Sequence, residues 1–280
     1  MRVLLLANPK AGSSTPPEAL AEALARHGGD VLETRTLEDA ERPPEATERI
    51  VVAGGDGSLG TAAALAAEHG VPLAVIPTGT ANDFARAMGL PDDPEAACRL
   101  AAAGTRTRRI DLATSGDRAW LNAASAGLAV QAARAASPLK RVLGPVAYAA
   151  GAAWAALRAH PLRCRVECDG EERFAGGAWQ VIVSNSGAFG GGAQIGRARL
   201  DDGLLDVTVI PARSRLRLAR YAFGLRTGRI TEQPGVTFAQ GTAIAIEPAP
   251  AAGMNVDGEL VPVEPARFGV RRAALEVVVG

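Results

Sequence analysis

Four stretches of this chain combine carboxylates or hydroxyls with glycine at a spacing suited to phosphate chemistry. The first is Gly54-Gly55-Asp56-Gly57-Ser58, reached directly from the apolar run Ile50 to Ala53. Glycine tolerates positive φ and lets backbone N–H groups approach a ligand closely. A helix starting immediately behind adds free donors and a partial positive charge, which together make a phosphate cradle. Asp56 at its tip would repel a phosphate unless a metal ion or a hydroxyl lay between them. No Gly-Lys-Ser/Thr follows, so this is not a P-loop, and the glycines lack dinucleotide-fingerprint spacing. The plain alternative is a tight strand-to-helix turn whose Asp or Ser caps the helix. The second stretch, Pro77-Thr78-Gly79-Thr80-Ala81-Asn82-Asp83-Phe84, again leaves a buried strand and opens a helix. Two such turns at the ends of parallel strands share one rim of a sheet, where ligands bind in open α/β folds. The third runs from Asn185 through Gly190-Gly191-Gly192 to Arg199-Leu200-Asp201-Asp202-Gly203-Leu204-Leu205-Asp206, and the fourth is Asn255-Val256-Asp257-Gly258-Glu259-Leu260. Each of these also reads as an ordinary turn, Asp257-Gly258 as that of a hairpin.

The elements that must position these turns follow from hydrophobic period and turn signals. Strands are expected over Arg2–Ala7, Val31–Thr36, Ile50–Ala53 and Val71–Ile76. Helices are expected over Pro17–His27, Ser58–His69, Ala81–Met88 and Pro94–Ala103. Buried strands alternating with helices imply a parallel sheet with helices on both faces. After Arg106 the pattern turns β-rich, with strands over Thr107–Ala113, Ala119–Ala124, Leu162–Cys168, Gln180–Ser184, Leu204–Ile210, Thr242–Glu247 and Leu275–Val279. Helical interruptions fall near Val142–Ala159 and Leu216–Leu225.

The chain has 280 residues, which favours about two domains. With 48% hydrophobic and 21% charged residues it builds an ordinary globular core. Thirty basic residues balance thirty acidic ones, so no bulk attraction to nucleic acid is expected. Aromatics at 4% argue against base-stacking platforms. Three cysteines form no disulfide framework, and Cys164 and Cys168 lie about 13 Å apart on one strand face. No targeting segment or membrane span is expected, which points to the cytoplasm. His27, His69 and His160 pair with no nucleophile.

Asn8-Pro9-Lys10-Ala11-Gly12, the glycine-Asp turn, Thr80 to Phe84, the triple glycine, Asp202 to Asp206 and Asp257-Gly258-Glu259 occur in this order. In that series the chain resembles the diacylglycerol kinase catalytic family, soluble lipid kinases related to sphingosine and ceramide kinases and remotely to NAD kinases. The resemblance implies an α/β plus β fold. A three-layer Rossmann-like nucleotide domain (1–115, with 270–280 returning to it) would face a β-rich sandwich domain (116–269) across an active-site cleft. It implies ATP held by Asn8, Pro9, Lys10, Ala11, Gly12, Thr36 (with Thr34 open as the alternative), Gly54, Gly55, Asp56, Gly57, Ser58, Leu59, Gly60 and Thr80. Glu259 would be the proton acceptor, with Asp56 orienting it or holding a catalytic Mg²⁺. Arg199, Asp202 and Leu204 would form a structural Mg²⁺ site, partly through main-chain carbonyls. The acceptor would be a lipid alcohol such as diacylglycerol.

Three positions depart from the family pattern. Ser58 stands for Thr, Gly60-Thr61 for Asn-Glu, and Gly196-Arg197 for an Ala-Pro-like pair. The second change removes an amide and a carboxylate beside the nucleotide. A binding module without turnover is therefore one competing reading; a NAD-kinase-like enzyme is the other, and the missing Asn-Glu pair and the Asp-Gly-Glu turn argue against it. Arg213, Arg217 and Arg220 fall on one face of Ser214–Leu225, with Leu216, Ala219 and Phe223 on the other, and Arg226 and Arg229 beyond. That is either a solvated helix face or a peripheral contact with the inner face of an anionic membrane. A homodimer stays open.

Overall fold

The computed structural model describes residues 1–7, 15–136, 158, 160–249, 252–263 and 265–280. Strands β1 (Arg2–Ala7), β2 (Asp30–Arg35), β3 (Arg49–Gly54) and β4 (Leu73–Pro77) form a parallel sheet in the order β4-β3-β1-β2. β3 and β4 are buried at every residue, as two-sided coverage by helices requires. Helices α1 (Pro17–Arg26) and α4 (Pro94–Ala103) cover one face, packing Leu20, Leu24, Ala97 and Ala101 on Val3, Leu5 and Val51. α4 starts where the Asp93 carboxylate accepts the Ala96 N–H at 2.8 Å. The other face takes α2 (Asp56–His69) and α3 (Asp83–Ala87), with Leu59, Ala62, Ala66 and Phe84 in one core with Leu4, Ile50 and Val75. Gly70, in the left-handed region at φ 63°, stops α2.

The sheet then continues through one long strand. β17 (Ala266–Val279) runs parallel to β4 at Val277, antiparallel to β5 (Arg106–Ser115), and antiparallel to β14 (Ala243–Pro248) at its other end. Its register slips between Arg271 and Leu275, where Ala273 has φ 48°. The Asp111 carboxylate fills that bulge, accepting the N–H groups of Ala273 at 2.7 Å and Gly203 at 2.6 Å. A lone acid inside the apolar run Ile110–Ala113 thus joins three chain segments.

The second half is the sandwich-like body. β6 (Arg118–Trp120) pairs with β5. β7 (Ala123–Gly127) runs straight into α5 (Leu128–Ala136). β8 (Leu162–Cys168) and the long β9 (Glu171–Ser184) follow as a hairpin. Short β10 (Ala188–Phe189) and β11 (Ala193–Gln194) flank the triple glycine. β12 (Leu205–Pro211), helix α6 (Leu218–Arg226), β13 (Thr237–Gly241), β15 (Ala252–Val256) and β16 (Glu259–Val263) complete it. Strand order along the main path is β16-β15-β7-β9-β8-β14-β17. The core holds Val181, Val207, Ile244 and Met254, with Trp120 edge-on to Phe268 at 6.0 Å. The single strand expected over Ala119–Ala124 is broken at Leu121 and Asn122. The helix expected near Val142–Ala159 falls almost wholly outside the described residues.

Candidate active site

Adjacent parallel strands β3 and β4 deliver both glycine turns to the same rim, with Gly54 opposite Pro77. Thr78 N–H donates to Gly54 O at 3.0 Å. The turns touch backbone to backbone, since a Cβ on Gly79 would lie 2.5 Å from Gly55 Cα. Asn82, at φ 49°, closes the second turn by accepting Gly79 N–H on Oδ1 and donating Nδ2 to Gly79 O. Asp56 then spans the gap. Its Oδ2 accepts the Asp83 N–H at 3.1 Å, and its Oδ1 accepts the Phe84 N–H at 3.0 Å and Asn122 Nδ2 at 2.9 Å. It therefore caps α3 and reaches the β-rich half. Buried Asp83 makes a second bridge, accepting the N–H groups of Gly191 at 2.9 Å and Gly192 at 3.0 Å, with Arg86 Nη1 at 3.1 Å.

The β15–β16 turn brings the remaining acids. Asp257, at φ 46° and buried, accepts the N–H groups of Leu121 at 2.7 Å and of Asn122 and Ala123 at 3.0 Å. Those donors are withdrawn from strand pairing, which is why β6 and β7 are separate. Burial pushes the Asp257 carboxyl up to about 7, aided by the nearby Asp56 charge and opposed by the three N–H donors. Exposed Glu259 leans over the first turn of α2, where a Cβ on Gly57 would meet its Cγ at 3.5 Å. Its Oε2 is paired with Arg118 Nη2, so Arg118 and not Asp56 holds Glu259. A groove of about 680 Å³ follows α2 past Gly57, Gly60, Thr61 and Ala64, with Arg118–Trp120 as its opposite wall. Gly60, where the resemblance leads one to expect Asn, is the point at which α2 meets β6. A Cβ there would lie under 3.0 Å from the Ala119 carbonyl oxygen.

The other expected residues divide. Asn8, Pro9, Lys10, Ala11 and Gly12 lie outside the described residues. Thr36 forms a turn with Asp39, donating Oγ1 to Oδ2 at 2.6 Å, just before the groove residues Ala40 and Glu41. Thr34 lies within β2. Ser58 and Leu59 are buried beneath the cradle, so only their backbone can face a ligand. Thr80 is exposed on the second turn.

Around Arg199, Asp202 and Leu204 the charges are already matched. Asp201 pairs with Arg108 and Arg199, Asp202 Oδ1 accepts the Leu204 N–H at 2.9 Å, and the Arg272 side chain packs on Gly203. Among the described residues no three of His, Cys, Asp or Glu gather around one point. Three hydrogen bonds leave acceptor capacity on the Asp56 carboxylate, and the expected contacts at Arg199, Asp202 and Leu204 are partly main-chain carbonyls, so these residues could hold Mg²⁺, which would neutralise phosphate charge there.

An apolar cavity of about 170 Å³ lies between α5 and α6, lined by Leu128, Trp179, Phe189, Ile210, Tyr221 and Leu225. On and just before α6, Leu216 is 93% and Phe223 66% exposed, and Arg213, Arg217, Arg220, Arg226 and Arg229 of the same segment are exposed as well. No helix among the described residues is long and apolar enough to cross a membrane.

Residue spacing alone missed Arg118, Asn122, Asp111 and Asp257 as organisers of the site. Asp111 carried a signal, being charged within an apolar strand. Arg118 carried none.

Comparison with known proteins agrees with this geometry. The diacylglycerol kinase catalytic domain matches residues 2–115, and the YegS C-terminal NAD kinase beta sandwich-like domain matches residues 122–279. A Pseudomonas aeruginosa protein named "Probable lipid kinase YegS-like" is 32% identical, over 99% of this chain and 93% of its own length. A Mycobacterium tuberculosis diacylglycerol kinase is 30% identical over 99% and 94%. The crystal structure of a Bacillus anthracis diacylglycerol kinase superposes with a TM-score of 0.79 at 24% identity, covering 100% of this chain and 97% of that one. An Archaeoglobus fulgidus NAD kinase in complex with ATP shares the fold with a TM-score of 0.52 at 15% identity, over 100% and 93%.

Proposed function

Because this chain belongs to the diacylglycerol kinase family of lipid kinases, we propose that it transfers the γ-phosphoryl group of ATP to the hydroxyl of a membrane lipid such as diacylglycerol. The observation that carries this reading is the groove along α2, where Glu259 overhangs the helix N-terminus between two glycine turns. Residues 1–115, with the end of β17, serve as the nucleotide half, and residues 116–269 as the lipid half.

A carboxylate cannot deprotonate a neutral alcohol in advance. Glu259 instead accepts the hydroxyl proton as the acceptor O–P bond forms and the bond from the γ-phosphorus to the bridging oxygen breaks, releasing ADP. The backbone N–H groups at the start of α2, together with its dipole, stabilise the charge moving between the phosphates. Asp56, Asp83 and Asp257 act by holding α2, α3, the triple glycine and the Glu259 hairpin in register, because their oxygens accept backbone N–H groups. The apolar cavity between α5 and α6 suits an acyl chain, and the exposed Leu216 and Phe223, on a segment rich in exposed arginines, suit docking on an anionic membrane from the cytoplasmic side.

The test is incubation with radiolabelled ATP and a total lipid extract. Label is expected in an acidic phospholipid, and Glu259→Gln should abolish it while still binding ATP. No labelled lipid with the wild-type protein overturns the activity, and a Glu259→Gln rate within tenfold of wild type removes Glu259 as the base.

A further inference from the structure

The charged side chains lining the groove are unbalanced. Glu41, Glu68, Asp117 and Glu259 face a single cation among the described lining residues, Arg118. A triphosphate entering a groove of that sign needs this guanidinium. The guanidinium is engaged by Glu259, whose carboxylate also lies over the N-terminal turn of α2. The protein's own carboxylate therefore holds the guanidinium and stands beside the helix terminus, the two anion-binding groups of the groove.

We infer that Arg118 receives the terminal phosphate of the nucleotide, exchanging Glu259 for it, and that the exchange releases Glu259 to face the acceptor hydroxyl. The inference rests on the ATP-dependent reading above and deepens it. A guanidinium accepts a carboxylate or a phosphate through the same fork of donors, so the swap keeps its hydrogen bonds. The existing pair is weakly held, because its side chains are 37% and 55% exposed. The arm is nonetheless well placed: β6 pairs with β5 at Arg118 itself, and Trp120, two residues on, is fully buried.

Calorimetric titration of ATP and ADP into wild type, Arg118→Gln, Arg118→Lys and Glu259→Gln tests it, with thermal melting to verify folding. Arg118→Gln should weaken ATP about tenfold and ADP no more than twofold, and Arg118→Lys should recover part of the loss. Glu259→Gln, which removes the competing carboxylate, should tighten ATP a few-fold, and this gain should vanish in the double variant. A residue that merely propped up Glu259 would leave ATP affinity unchanged. Equal losses for ATP and ADP, or Arg118→Gln affinity within twofold of wild type, overturn the exchange while leaving the kinase reading intact. Wild-type protein that binds no ATP overturns both.

Discussion

Gly60 gives the sharpest test of the packing argument, because two effects of opposite sign compete there. It lies inside α2, where replacing glycine by alanine raises intrinsic helix stability by about 1 kcal/mol. The new Cβ, however, would lie under 3.0 Å from Ala119 O and 3.3 Å from Ala119 C, against an ordinary contact of 3.4 Å or more. The obstructing atoms are backbone of β6, pinned by pairing with β5 and by the buried Trp120, so no side chain can swing aside. Overpacking of this kind costs about 3 kcal/mol at the upper end, leaving Gly60→Ala less stable by about 2 kcal/mol once the helix gain is subtracted. For a chain of this size that is a fall in Tm of about 3–4 °C. Differential scanning calorimetry of wild type, Gly60→Ala and Gly60→Asn measures it, and Gly57→Ala, whose Cβ would press less closely, on Asp257 O at 3.3 Å, should be destabilised less than Gly60→Ala. Gly60→Asn, which restores the family residue, should be at least as destabilised. A rise in Tm for Gly60→Ala would show that helix propensity wins and that the close approach of α2 to β6 is not a constraint.

Three further outcomes follow from the same geometry. Leu216→Ser with Phe223→Ser should leave stability within about 0.5 kcal/mol, as both side chains are exposed, yet reduce sedimentation with anionic vesicles several-fold; binding indifferent to the substitutions, lipid charge and salt would refute the docking face. Asp83→Ala strips the acceptor from the N–H groups of Gly191 and Gly192, costing about 2 kcal/mol in urea unfolding together with turnover; unchanged unfolding would refute the bridge. Asp257, raised to about 7 by burial, keeps its proton in the folded protein where the unfolded chain releases it near pH 4. Its contribution is therefore full below about pH 4 and lost as pH climbs through about 7. Wild-type Tm should decline over that window relative to Asp257→Asn, and parallel profiles would contradict the shift.

The parallel-sheet half is legible because its signals are local. Apolar runs bounded by glycine and proline mark β1, β3, β4, α1, α2 and α4 to within a few residues. The β-rich half hides where its strands are built from small residues. Ala123–Gly127 and Ala252–Val256 carry few of the β-branched or aromatic side chains that advertise a strand, and their pairing with each other joins distant parts of the chain. The break between β6 and β7 is dictated by Asp257, 134 to 136 positions away, and no window around Leu121 contains that information. For the amphipathic segment before Leu225 the sequence defined an apolar side without saying what it meets. The structure answers by turning Tyr221 and Gly224 inward and leaving Leu216 and Phe223 outside.

The acids show the same limit more sharply. A carboxylate in a glycine turn reads as catalytic when its neighbours in the chain are the only ones in view, and Asp56 was read that way. Its donors, the N–H groups of Asp83 and Phe84 and the amide of Asn122, lie 27, 28 and 66 positions on. Those three bonds make Asp56 a joint between the two halves, whatever it does for the nucleotide. Asp257 is held in the same way by three backbone donors. Glu259 differs from both: its one recorded partner is an exposed arginine that another anion can displace. Of the acids expected to work as a pair, Glu259 is the one whose hydrogen bond is replaceable, and its proposed role as proton acceptor rests on that difference.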